Sequence, residues 1–202
     1  MHTFLLSLPD SRQRRLSALG QIQGSGLSFE LVDGVEAGKM RIESLPIDPD
    51  ALAWLKTGEV GCYFGHLRIL QRIVDYGLRY ACVLEDDFCF ETDPDFGLTE
   101  IGPHLPRPFH YVHLQRDLGL NPNYGVVGTQ DRFLRVCETP YCTTGYIVEH
   151  SLASYILEHH SVCRMPIDHL YAELSRRGLF YQSIKPLIGI QCGLPSDIQQ
   201  TG

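Results

Sequence analysis

The run Ala81-Cys82-Val83-Leu84 passes without a break into Glu85-Asp86-Asp87. Consecutive apolar residues of this kind suit a strand covered on both faces, which requires other layers on either side of a sheet. Three carboxylates where such a strand leaves its core repel one another and raise each other's pKa, a penalty that a bound cation reverses. The pattern therefore predicts a buried strand ending at a divalent-metal site. Side chains alternate along an extended segment, so Glu85 and Asp87 are expected on one face and Asp86 on the other. All-oxygen ligands favour magnesium or manganese, and magnesium is usually held by one or two carboxylates plus phosphate oxygens. The alternative is a solvated acidic loop.

The 202 residues are 44% hydrophobic and 20% charged, enough for one substantial core, so a single domain over 1–202 is expected. A formal net charge of −7, with 17 scattered basic residues, argues against a nucleic-acid partner. No apolar stretch approaches the ~20 residues of a membrane span, and the N-terminus has no secretory pattern. The seven cysteines include no C-x-x-C pair, so they are expected as reduced, cytoplasmic thiols in apolar settings. His159, His160 and Cys163 sketch a zinc site, but histidines on a helix surface are the commoner reading.

Residues 2–8 read as a strand, with a helix to Gly24 capped by Asp10 or Ser11 and buried through Leu16, Leu19 and Ile22. A strand over 27–33 ends at Asp33, which implies a parallel crossover. Residues 34–57 carry no period, and a helix follows from Gly58 to about Tyr76. Strands are expected over 80–84, 109–114, 133–137, 145–148, 180–184 and 187–190, with a turn near Asp93-Pro94 and a loop over 117–128. Ser151 is expected to cap one helix and Pro166 to open another. Such alternation predicts an open α/β sheet whose ligand crevice lies beyond the carboxyl ends of its strands, where Asp33 and Glu85–Asp87 both fall.

Several segments resemble glycosyltransferase family 25, which includes lipopolysaccharide glycosyltransferases and collagen galactosyltransferases. They are Leu6-Ser-Leu-Pro-Asp-Ser-Arg-Gln-Arg-Arg15, Phe29-Glu-Leu-Val-Asp33, Glu59-x-x-Cys62-x-x-x-His66 and Val83-Leu-Glu-Asp-Asp87. Thr143-Thr-Gly-Tyr-Ile147, Pro166-Ile-Asp168 and Ser196-Asp197-Ile198 are similar to the family's later blocks. The resemblance implies a GT-A-like domain with an open, mostly parallel nucleotide-binding sheet flanked by helices. Residues 1–90 would serve the donor and 91–202 the acceptor. It further implies an inverting transfer of a hexose, galactose favoured, from a UDP-sugar to a glycan or glycolipid such as lipopolysaccharide or lipooligosaccharide. Manganese or magnesium would be held by Asp87, with Glu85 in the first acidic position. Arg12, Arg14, Arg15, Asp33 and Asp86 would lie near the nucleotide. Gly65 departs from the family, which usually has Ser before the His.

A diphosphate leaving group needs its developing charge neutralised, and inversion needs a base on the far side of the sugar. Asp168, fixed in the first turn behind Pro166, is the candidate base; the bland reading is an acid complementing the helix dipole. Asp197 is the second candidate, or else a turn former. Glu59, Cys62 and His66 share one stripe, within about 60° of each other at ~100° per residue. The resemblance turns Glu59 and His66 toward the donor sugar, whereas physics alone makes His66 a hydrogen-bonded core histidine. One of Arg14 and Arg15 would contact the diphosphate at the helix N-terminus, though arginines on a helix are usually a solvated face. Thr143 and Thr144 before Gly145 serve either sugar approach or packing. A metal-dependent phosphohydrolase and a nucleotide- or glycan-binding relative without turnover remain as alternatives.

Overall fold

The computed structural model describes residues 1–91, 97–115, 125–139 and 141–190, the side chain of Glu43 excepted. Strand β1 (His2–Ser7), helix α1 (Arg12–Gly24) and strand β2 (Phe29–Asp33) open the chain, followed by 3₁₀ turns at Ala37–Lys39 and Ile42–Ser44. Helices α2 (Pro49–Leu52) and α3 (Thr57–Asp75) lead to β3 (Tyr80–Glu85), β4 (Phe88–Phe90) and β5 (Tyr111–His113). Then come β6 (Val126–Gln130), β7 (Phe133–Val136), β8 (Gly145–Glu149), α4 (His150–His159), α5 (Ile167–Ser175), β9 (Phe180–Ser183) and β10 (Ile188–Ile190).

Eight strands form one sheet in the order β2-β1-β3-β8-β5-β9-β7-β6, and β4 pairs with β10 in a small second sheet. Strand β1 is parallel to both β2 and β3, so the strands expected to carry the nucleotide end side by side. Strand β8 enters antiparallel between β3 and β5, and β5 pairs parallel with β9. The period of two along each strand sorts the core into two layers. Phe4, Leu6, Ala81, Val83, Tyr146 and Val148 pack on the side of α3, α4 and α5. Leu5, Cys82, Leu84, Val112 and Ile147 pack on the side of α1 with Ala18 and Ile22. Both faces of β1 and β3 are therefore covered, which is why their sequences read as continuous apolar runs.

Some local expectations are corrected. Leu16 is 71% exposed, and α1 instead buries Ala18 with Ile22. Ser11 stands at the start of α1 without capping it through its side chain, and the Asp10 carboxylate pairs instead with Lys39 of the Ala37–Lys39 turn. Helix α4 is capped by Glu149, which accepts from the Ser151 amide at 3.0 Å, rather than by Ser151. The stretch 34–57 contains α2, whose start is set by Pro49 at its first position and by Asp48, which accepts from the Asp50 amide at 3.0 Å. Residues 126–130 form β6 instead of loop, while 117–124 and the Asp93-Pro94 turn lie outside the described residues. Strand β4 went unread because its three residues are too few to show a period.

Candidate donor site

The parallel register places Leu6 beside Glu85 and Ser7 beside Asp33, so β1, β2 and β3 present their carboxyl ends together. A cavity of about 460 Å³ opens there, bounded by the β1–α1 turn, residues 34–39, the first turns of α3 and Glu85–Asp87. Helix α3 comes this close because of glycine. A Cβ on Gly61 would run into the Val35 carbonyl, and one on Gly65 would lie 3.3 Å from the Leu6 methyls. The departure from the family's Ser at 65 thus sits in the helix–strand contact.

Strand β3 ends at Glu85, so the expected alternation of Glu85, Asp86 and Asp87 is replaced by a turn. Asp86 is nearly inaccessible. Its Oδ2 accepts from the Ser7 hydroxyl at 2.7 Å, and its Oδ1 lies 2.6 Å from Arg14 Nη2. The same Nη2 lies 3.0 Å from Asp87 Oδ2. Asp87 Oδ1 is buried and has no hydrogen-bond partner among the described residues. Burial and the neighbouring Glu85 push the Asp87 carboxyl up to about 7 against the opposing pull of Arg14.

Glu85 is held differently. Its Oε1 accepts from the Thr143 hydroxyl at 2.5 Å and lies 3.1 Å from His66 Nε2. His66 is fully buried, with Nδ1 2.8 Å from the Tyr146 hydroxyl, which in turn accepts from Tyr171 at 3.3 Å. The donors run in one direction from Tyr171 through Tyr146 and His66 to Glu85. Burial pushes the Glu85 carboxyl up, but His66, Thr143 and Arg14 together hold it below the usual range. Cys62, one turn before His66, lies beside Glu85 and on the cavity wall.

The remaining expected residues are spread around this centre. Arg15 donates to the Ser7 hydroxyl at 3.1 Å, to the Ser7 carbonyl at 2.8 Å and to Asp33 at 2.7 Å, tying the ends of β1 and β2. Arg12 is exposed at the start of α1. Glu59 accepts from the Lys56 amide at 2.8 Å and closes the N-terminus of α3, away from the cavity wall. Asp168 sits in the first turn of α5, where Oδ2 accepts from the Cys142 amide at 3.0 Å. Burial, with the charges of Glu85 and Asp168 adding to it, pushes the Cys62 thiol up. Asp197 lies outside the described residues. Gly145 serves packing, since a Cβ there would meet Ile188 at 2.9 Å. Cys163 donates its thiol toward the Met165 carbonyl, which accounts for one of the three residues of the sketched zinc site. Ser7, Tyr146 and Tyr171 had no assigned role: a serine ending a strand and tyrosines in apolar segments send no individual signal.

A cation fits the acidic turn on one observation: a buried carboxylate oxygen of Asp87 with no partner among the described residues, on a residue that lines the cavity together with Glu85 and Asp86.

Residues 1–171 match the family described as glycosyltransferase family 25 (LPS biosynthesis protein). The chain is 30% identical over 179 residues to a Bos taurus protein named probable inactive glycosyltransferase 25 family member 3, covering 82% of this chain and 30% of that protein. It is 35% identical over 94 residues to procollagen galactosyltransferase 1 of Danio rerio, covering 43% of this chain and 16% of that protein. The chain thus spans less than a third of the length of these relatives. A solved glycosyltransferase involved in glycosylation of the major capsid of PBCV-1 superposes with a TM-score of 0.52 at 11% identity, covering 96% and 94% of the two chains. That likeness gives a GT-A-like fold. Among the described residues no helix is long and apolar enough to cross a membrane.

Proposed function

The chain belongs to glycosyltransferase family 25, and from that premise we propose that it transfers a hexose, galactose favoured, from a UDP-sugar to a glycan acceptor such as lipopolysaccharide, with inversion and with help from manganese or magnesium. The observation that carries this reading is the buried Oδ1 of Asp87, without a partner among the described residues, on a residue lining a cavity of about 460 Å³. Asp87 would hold the ion through that oxygen, with Glu85 beside it, and the ion would neutralise charge on the departing diphosphate. Arg14 already bridges Asp86 and Asp87, so its guanidinium stands where it can turn toward a phosphate. Arg15 and Ser7 fix Asp33 at the nucleotide edge of the sheet, on the donor side formed by residues 1–90. Asp168 would take the acceptor hydroxyl's proton from the side formed by residues 91–202. A cytoplasmic setting goes with this reading, supported by cysteines that include no C-x-x-C pair.

A second reading rests on Arg14 as well. Its contact with both acids supplies a positive charge without any ion, which suits a relative that binds nucleotide or glycan without turnover. One experiment separates the readings. Titration calorimetry with UDP should give binding that needs manganese or magnesium and disappears in Asp87→Asn, and single-turnover assays with UDP-galactose should transfer sugar. Equal binding in chelator would exclude a shared ion, and binding without transfer to any offered glycan would leave the second reading standing.

A further inference from the structure

The Cys62 Sγ, His66 Nε2 or Nδ1 and a Glu85 oxygen all lie within 4.8 Å of one another. This set differs in chemistry from the all-oxygen turn next to it. A thiol, an imidazole and a carboxylate together are a poor match for magnesium or manganese and a good match for zinc, which takes sulfur, nitrogen and oxygen ligands in a tetrahedron. Cys62 and His66 are four residues apart on α3, so one helical face delivers both, and β3 delivers Glu85 from the facing layer.

We propose that Cys62, His66 and Glu85 form a zinc site, with their sulfur, Nε2 and a carboxylate oxygen as the protein ligands and a fourth position open to the cavity that Cys62 and Glu85 line. The surroundings are those of a metal ligand set. The Tyr146 hydroxyl lies 2.8 Å from His66 Nδ1 and fixes the ring, and Tyr171 fixes Tyr146 at 3.3 Å. Thr143 orients Glu85 at 2.5 Å. Histidine ligands characteristically lean on such a partner through their other nitrogen, and carboxylate ligands are themselves hydrogen-bonded. On binding, the 3.1 Å contact between His66 Nε2 and Glu85 gives way to two bonds to the ion, the Nε2 hydrogen moves to Nδ1 and is donated to the Tyr146 oxygen, the Tyr146 hydroxyl hydrogen turns toward Tyr171 so that their hydrogen bond reverses, and Cys62 releases its thiol proton to solvent. Burial and the carboxylates of Glu85 and Asp168 push the Cys62 thiol up in the metal-free chain, so the thiolate forms only with the ion beside it. Glu85 and the cavity are shared with the donor reading, whereas Asp87 is not among the zinc ligands, so an Asp87 variant separates the two.

The test is metal content and the cobalt spectrum of the full chain. Protein loaded with zinc and then desalted should hold about one ion per chain by atomic emission, and cobalt in its place should show a thiolate-to-metal charge-transfer band. Cys62→Ser and His66→Gln should each lose stoichiometric zinc, Tyr146→Phe should weaken it by roughly 10–100-fold, and Asp87→Asn should keep it. Should either ligand variant fail to fold, the cobalt spectrum of the unaltered chain decides. No zinc uptake, no charge-transfer band, or full zinc retention by a folded Cys62→Ser protein overturns the assignment. Zinc retained by a protein that binds no UDP would sink the donor reading and leave this one intact.

Discussion

Asp168 accepts the Cys142 amide, and Cys142 has a positive φ of 93°, a region that side chains other than glycine's seldom adopt. The carboxylate therefore steadies a strained residue just before Thr143. Asparagine keeps an oxygen for that amide and loses the basicity. If Asp168 is the base, Asp168→Asn should slow single-turnover transfer by about 10²-fold or more while leaving UDP affinity unchanged. A purely helix-terminal acid would cost about 0.3 to 1 kcal/mol of stability and leave transfer near normal. Measuring both quantities on one preparation decides the role. At this scale the sequence was informative about which residues gather and less so about their partners. Glu85, Asp86, Asp87, Arg14 and His66 do meet, because strand ends and a helix face are legible as patterns. That Arg14 and Ser7 would hold Asp86, or that Glu59 would close its own helix, depends on turn geometry beyond Glu85 and on rotamers that no periodicity encodes.

Helix α3 shows how one residue type carries opposite signs in two elements. Alanine is favoured over glycine in a helix interior by about 1 kcal/mol, so Gly20 of α1, exposed and with nothing within 4 Å, should gain stability on Gly20→Ala. Gly61→Ala should instead cost about 1–3 kcal/mol, because a Cβ there meets the Val35 backbone, which cannot swing away as a flexible side chain would. Urea unfolding of both variants checks the contrast, and equal stabilisation would show that α3 stands farther from residues 35–37 than described. The elements themselves were largely legible: α3 and the strands near 80–84 and 145–148 follow from strong apolar patterning. The short β4 and β6 were not, since three residues, or five mostly exposed ones, show no contrast between faces.

At the scale of the whole molecule, His113 contributes an acid sensitivity, opposed over the same pH range by the raised Asp87 carboxyl. It is fully buried in β5, its Nε2 has no partner among the described residues, and burial pushes its pKa down to about 4 from 6.5. The folded state refuses a proton that the unfolded chain accepts. Its share of stability is thus intact above about pH 6.5 and drains as pH falls toward 4, by up to ~3 kcal/mol. His113→Phe should lose less stability than the parent chain between pH 7 and pH 4 in urea titrations; parallel losses would place the acid sensitivity elsewhere. The order of strands also governs how the site comes into being. Ser7 and Asp86 touch across 79 residues of sequence. Their strands can pair only after everything between them has been brought round, a closure that contributes to slow folding in topologies of this kind. Until β1 settles against β3, the acidic turn has neither Ser7 nor Arg14 to offset its charge, so assembling the sheet and quenching that repulsion are one event. Raising ionic strength during refolding should speed it, because screening weakens the repulsion that the late-arriving strand otherwise relieves.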